Sequence, residues 1–492
     1  MPSAIPSTLN ARRELPLVWA VLAAAALLRL TDALRRPLQV DEAYSLHLGA
    51  LPLEQGLRAV AALDVHPPLF LLLVHGLTSW HLPDWGFRIG AAALGVLSVW
   101  LFYQVVRLWH GEQAALLASA LTAFLPALIF YDTMIRMYAL FDALVLGGFW
   151  ALSILYTRDD LSAGARRVLW FAWTALAAAS IWTLYLGFLV IAAQLLYAAL
   201  VKRDALVKTV AGAAAAIALW SAQLHTFAAQ LPRGGIAFPL FAQHQLATVL
   251  AIPGQATIAP QTLGAGVLTL VATIFGLVWL ALALLGGLGG NTRSLALWIG
   301  VPSVLTLAYS LAAHKLLYAD RYFLLAAYAL CGLTALALAR VWAKNGSAAR
   351  IAGGVLCTLV VAAGCAYAVE PDLYTADWPA VGAVLQANLH EGDLVILEQG
   401  SGFFPLERGP WLDHHPLVLV FHRDDAPAAL GLARAYPRVF CVIFQAGPVD
   451  PSLSLLRGLR DTRQLIYVWE FVRWLPAESA SVLVFERRPA RR

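Results

Sequence analysis

An all-α polytopic membrane domain of about eleven transmembrane helices, followed by a small soluble α/β domain, is the fold class that three observations predict. The chain is 60% hydrophobic and only 13% charged over 492 residues, with a mean hydropathy of +0.71. Apolar runs of roughly 17 to 25 residues recur along it, each long enough as a helix to cross the ~30 Å hydrocarbon layer. Charge density then rises abruptly after residue 369, with 27 charged residues crowded into positions 370–492. A wholly soluble protein is excluded. The net charge of +5 and pI near 9.0 do not indicate a nucleic-acid partner, because the bases are scattered at span ends instead of clustered.

The apolar lengths predict spans at 15–34, 87–107, 113–131, 138–156, 168–183, 184–200, 209–226, 262–286, 295–313, 321–341 and 351–369. Arg12 and Arg13 precede the first run, but no small-residue cleavage site follows, so it reads as an uncleaved first span. Segment 66–82, opening on His66-Pro67-Pro68-Leu69, is apolar enough to suggest a twelfth crossing. The positive-inside rule argues against it. Without that crossing, thirteen Lys and Arg residues, among them Arg12, Arg13, Arg107, Arg158 and Lys202, share one face and eight fall on the other. A crossing would separate Arg12 and Arg13 from Arg107 and Arg158. The N-terminus is therefore expected in the cytoplasm of a bacterial cell, with loop 35–86 and residues 370–492 on the outer face. Within the loop, 41–51 and 66–80 read as helices lying along the membrane surface.

The expected division is a membrane domain over 1–369, including the outer loop 35–86, and a soluble domain over 370–492. In the latter, helices are expected at 377–389, 426–436 and 453–460. Strands are expected at 393–398, 417–421, 439–444, 465–470 and 481–485. The pattern is that of a small α/β layer sheet, and Gly400-Ser401-Gly402 lacks the rest of a nucleotide-binding fingerprint. The four cysteines have no CxxC or metal-ligand spacing, and neither a disulfide nor a zinc cluster is expected.

Chemistry concentrates on the outer face. Asp41 and Glu42 stand together a few residues beyond the first span. His66, Arg88, Asp132, Arg136, Lys315 and Arg321 come from distant points in the chain, yet the topology places them all near that face. Ionisable groups at the hydrocarbon boundary are costly and commonly mark a site or a pathway. Each also has a plainer reading: Asp41 as a helix cap, Arg88 as a snorkelling anchor, Arg136 as half of a structural ion pair.

Asp41-Glu42 after the first span, His66-Pro67-Pro68-Leu69 in the first loop, Arg88 opening the second span, Arg136-Met137-Tyr138-Ala139-Leu140 after the third and Arg321-Tyr322 opening a late one resemble the GT-C glycosyltransferases. The nearest kin are the bacterial branch of protein O-mannosyltransferases and the lipid A aminoarabinose transferases. The resemblance covers about residues 12–340 and implies an inverting enzyme that takes a sugar from a polyprenyl-phosphate carrier to a lipid, glycan or protein acceptor. It implies Asp41 as the base, with Glu42 in support. His66, Arg88, Asp132, Arg136, Tyr138, Lys315, Arg321 and Tyr322 are the implied substrate-binding residues, the cations meeting the phosphate. A divalent cation stays open, since some relatives use one and others do not. One departure stands out: many relatives carry a glutamate where this chain has Met134. The alternative from another class is a transporter or lipid flippase with a charged substrate path.

Overall fold

The computed structural model describes residues 8–232 and 292–488, apart from 314–319, 344–346, 370–375, 413–414, 422, 445–449, 451 and 472–478, together with scattered positions between 270 and 281. The expected span 262–286 and Lys315 lie outside the described residues. The chain divides into two compact units, one of residues 1–34 and 48–369 and the other of residues 35–47 and 370–492.

The first unit is helical. It begins with α1 (Thr8–Arg35) and continues, after α2 (Val40–Ala50), through α3 (Leu53–Leu63), α4 (Leu69–Thr78), α5 (Asp84–His110), α6 (Glu112–Ala123), α7 (Pro126–Thr133) and α8 (Tyr138–Thr157). Then come α9 (Ala163–Thr183), α10 (Gly187–Val201), α11 (Leu206–Trp220), α12 (Leu224–Gln230), α13 (Arg293–Ala313), α14 (Leu324–Ala343) and α15 (Ser347–Val369). Among the described residues five helices are long and apolar enough to cross a membrane, or six if the bent pair α6–α7 counts as one span. Helix α4 has only 10 residues, about 15 Å, half the hydrocarbon thickness, and cannot cross alone.

The breaks have local causes. Helix α5 stops at Gly111, whose φ of 85° is the left-handed conformation glycine adopts without a Cβ penalty. Between α6 and α7 the axis turns by 65°. Pro126 starts α7, where its missing N–H leaves no helical bond unmade. Helix α7 packs closely on α5 because Gly95 faces it: a Cβ there would lie 2.5 Å from the Asp132 Cβ. Ser162 caps α9, its Oγ accepting the Ala165 N–H at 3.2 Å.

The second unit is a five-stranded sheet with helices. Its strands are β1 (Leu394–Glu398), β2 (Leu417–Val420), β3 (Arg438–Phe444), β4 (Arg463–Phe471) and β5 (Ala480–Arg487), in spatial order β2-β1-β3-β5-β4. The first three are mutually parallel, and β5 joins β3 and β4 antiparallel. All five residues of β1 are buried, as expected of a central parallel strand covered on both faces. One face packs Val395, Leu397, Phe440 and Val442 with Trp378, Val381 and Leu385 of α16 (Trp378–Asn388). The other packs Leu394, Ile396 and Cys441 with α18 (Ala426–Ala433) and α19 (Ser454–Thr462), while the short α17 (Phe403–Glu407) follows β1. Each such aliphatic side chain contributes roughly 1.5–3 kcal/mol on burial. Residues 35–47 join this unit through Val40 on the first core, Tyr44 edge-on to Phe404 at 5.1 Å, and a 2.8 Å His47–Glu407 contact.

Candidate active site

The acid pair on α2 divides into two unlike residues. Glu42 is fully buried, and Arg36 reaches its two oxygens at 3.2 and 3.5 Å. The Gln39 N–H donates to Glu42 at 3.0 Å, closing the helix start in the manner of a capping box. Asp41 is half-buried, and its carboxylate has no partner among the described residues; its backbone carbonyl accepts the Ser45 hydroxyl at 3.0 Å. One acid is neutralised by its own segment, and the carboxylate of the other has no such partner among the described residues.

In the helical unit the polar centre is the turn between α3 and α4. Asp64 Oδ1 accepts the Val65 N–H at 2.6 Å and lies 2.7 Å from His66 Nδ1. Arg136, in the turn between α7 and α8 and buried, places Nη2 3.5 Å from that same nitrogen. Burial by itself raises the Asp64 pKa, but the His66 ring, the Arg136 guanidinium and the Val65 N–H outweigh it and hold the carboxyl below the usual carboxylate range. Asp64 is thus an anion at neutral pH. Gln230 fixes the turn from α12, donating to the Val60 and His66 carbonyls at 3.0 and 3.1 Å while accepting the Tyr185 hydroxyl at 2.6 Å.

His66 and Gln230 line a cavity of about 310 Å³, together with apolar groups such as Leu184, Phe188, Phe227 and Leu305. Tyr309 and Tyr322 complete its wall. Arg321 lies with its guanidinium carbon 5.5 Å from the Tyr322 ring centroid. A volume of this size suits an elongated apolar ligand with one polar end.

The remaining expected site residues lie deeper. Asp132 does not pair with Arg136: Arg29 of α1 donates to its Oδ2 from Nε at 2.9 Å and Nη2 at 2.7 Å, and to the Ala123 carbonyl at 3.1 Å. Both members of this ion pair are fully buried. One turn along α1, Asp32 accepts the Thr133 hydroxyl and, at 2.9 Å, the Tyr367 hydroxyl. Arg29 and Asp32 were missed by sequence reasoning because they lie inside a span; two ionisable residues three apart within an apolar run were the available signal. Tyr138 is buried edge-on to Tyr131, with centroids 5.2 Å apart. Arg88 is 4% exposed, which sets aside the snorkelling reading. Among the described residues no group of three or more His, Cys, Asp or Glu side chains could hold a metal ion.

No family model matches the sequence, and no curated protein matches it. Solved structures do. ArnT from Cupriavidus metallidurans bound to undecaprenyl phosphate aligns with a TM-score of 0.54 at 14% identity, covering 95% of this chain and 97% of that one. The Archaeoglobus fulgidus oligosaccharyltransferase in complex with Zn and sulfate aligns at 0.51 and 14% identity, over 91% of this chain and 71% of its own. The same enzyme tethered to an acceptor peptide aligns at 0.50 and 12% identity, over 87% and 69%. The chain therefore has the fold of the GT-C glycosyltransferases.

Proposed function

We propose that the chain is an inverting membrane glycosyltransferase that moves one sugar from a polyprenyl-phosphate donor to a lipid, glycan or protein acceptor on the outer face of the bacterial cytoplasmic membrane. The observation that carries this reading is the apolar cavity lined in part by His66, with Asp64 and Arg136 beside that residue. An isoprenoid tail needs an apolar slot, and the phosphate at its end needs a guanidinium close by. That ArnT has been captured with undecaprenyl phosphate supports the same ligand class.

In the proposed reaction a carboxylate takes the proton of the acceptor hydroxyl, and the oxygen attacks the anomeric carbon. The carbon–oxygen bond to the phosphate breaks, and polyprenyl phosphate departs with the electron pair. Family resemblance assigns the base to Asp41, and its lack of a partner among the described residues is what such a role requires. Glu42, engaged with Arg36 and the Gln39 N–H, acts by holding the start of α2. Arg88, Arg136, Lys315 and Arg321 are the proposed phosphate ligands, meeting the charge that grows on the leaving group. Asp132, held by Arg29, steadies the helix break that carries Arg136. Tyr138 and Tyr322 are proposed as flanking substrate contacts.

Binding of undecaprenyl phosphate to the detergent-solubilised full-length protein tests the reading. Arg136→Ala should weaken binding by about tenfold or more, the worth of a charge-assisted hydrogen bond, and leave binding of uncharged undecaprenol unchanged. Equal losses for both lipids would remove the phosphate assignment.

A further inference from the structure

A second polar group stands apart from the chemistry above. Glu398 is the last residue of β1, and in register its neighbours are Val420 of β2 and Ile443 of β3. The chain runs from β1 to β2 on one side and returns through α18 to β3 on the other, so β1 lies at the point where strand order reverses. In open parallel sheets the crevice at the carboxyl ends of such strands is where ligands bind. By the alternation of a strand, Glu398 points to the same face as Leu394 and Ile396, the face covered by α18 and α19. It is fully buried, and neither carboxylate oxygen has a hydrogen-bond partner among the described residues.

Its surroundings specify the sign of a partner. Asp450 lies near enough for its charge to act on Glu398. Asp450 itself is engaged: Ser452 donates to Oδ1 at 2.8 Å, and Ser454 and the Leu455 N–H donate to Oδ2 at 2.8 and 3.0 Å, anchoring the start of α19. Those bonds hold Asp450 as an anion against the opposing effect of burial. A second carboxylate beside a fixed anion stays charged only if a cation joins it; otherwise it takes up a proton. Since the donors around Asp450 occupy both its oxygens, Glu398 alone is available for direct contact. One carboxylate is a poor ligand set for a metal ion but a sufficient one for an ammonium group. The chain then turns sharply: Gln399 has φ of 101°, an uncommon value for a residue with a side chain, and Gly400 packs against the ring of the exposed Phe421, whose Cζ a Cβ there would meet at 2.7 Å.

We propose that the carboxyl end of β1 is a binding site for a small primary ammonium group, anchored by Glu398 and favoured by the charge of Asp450. The site takes up the ligand by exchanging the Glu398 proton for the cation, so binding releases that proton to solvent.

The test uses the full-length protein in detergent, with n-butylammonium chloride as the probe, n-butanol as its neutral analogue and sodium chloride to match ionic strength. Binding is read from the shift in unfolding temperature with concentration. Butylammonium should stabilise the wild type, and neither control should do so. Glu398→Gln, which keeps the shape, should weaken the response at least tenfold. As a second measurement that needs no variant, wild-type affinity should rise about tenfold between pH 6 and pH 8, because burial and the Asp450 charge push Glu398 up to about 7. Equal stabilisation by sodium or butanol, or a pH-independent affinity, overturns the proposal. So does an undiminished response in Glu398→Gln.

Discussion

The start of α2 and the turn after α7 pose the same problem and solve it in the same way. Each carries an acid that adjacency would assign to a reaction centre, and each hands that acid to an arginine within its own unit. Glu42 goes to Arg36, and Asp132 goes to Arg29. What remains in one region is Asp41, whose carboxylate has no partner among the described residues, and in the other Arg136 stands beside His66 and Asp64. The two pairs are equally buried and differ in what supports them. The Arg29 guanidinium makes four bonds in a helix core, two to Asp132 and two to backbone carbonyls, whereas Glu42 sits at a helix start where a backbone N–H shares the load. Buried charges are paired because leaving one alone is expensive.

The largest effect expected from breaking this comparison lies at the Arg29–Asp132 pair. Arg29→Leu strands Asp132 in an apolar core and should cost about 3–5 kcal/mol of stability, read from unfolding in detergent. The double variant Arg29→Leu/Asp132→Leu should recover most of that loss. If the single and double variants are equally destabilised, the pairing is not what holds the bend.

Next in size is the contrast within α2. Asp41→Asn should lower sugar transfer by about 10²–10⁴-fold, the usual worth of a general base, with unfolding unchanged. Glu42→Gln should reverse the ranking, losing stability and retaining measurable transfer. Unaltered transfer in a folded Asp41→Asn protein would take the base away from Asp41.

The smallest effect concerns an acid that escapes pairing altogether. Glu398, raised to about 7 by burial and by Asp450, is protonated in the folded domain at pH values where the unfolded chain has already lost the proton. The folded state therefore binds more protons between roughly pH 4.5 and 7, and stability falls as pH rises through that window. Glu398→Gln should flatten the dependence and stabilise the domain at pH 8 by about 2 kcal/mol. A wild-type protein whose unfolding is insensitive to pH across that range would contradict the assignment.

Much of the fold was legible in the chain. The helix expected at 41–51 is α2, Val40–Ala50, and the strand expected at 439–444 is β3, Arg438–Phe444. The soluble strands were readable because five to nine β-rich residues between turn signals leave few alternatives. The count of about eleven spans was less secure: hydropathy measures apolar length but not bends, and the 65° turn at Phe124–Leu125 and the shorter apolar helices 187–201 and 353–369 do not announce their path. At the site, Asp64 reads in the sequence as a helix cap, and only folding shows it holding His66 with Arg136 72 residues further along the chain.

Sequence alone determined the class of this protein, because apolar length and charge density act locally and additively along the chain. It also determined which residue types could serve a phosphate and an acceptor hydroxyl. Only the tertiary structure decided which charges neutralise one another: Arg29 and Asp132 are separated by 103 positions, and no local pattern encodes a contact between elements so far apart. The division of Asp41 from Glu42 follows the same physics. In a low-dielectric interior each buried charge must find a counter-charge or a donor, and the path of the backbone settles which one it finds.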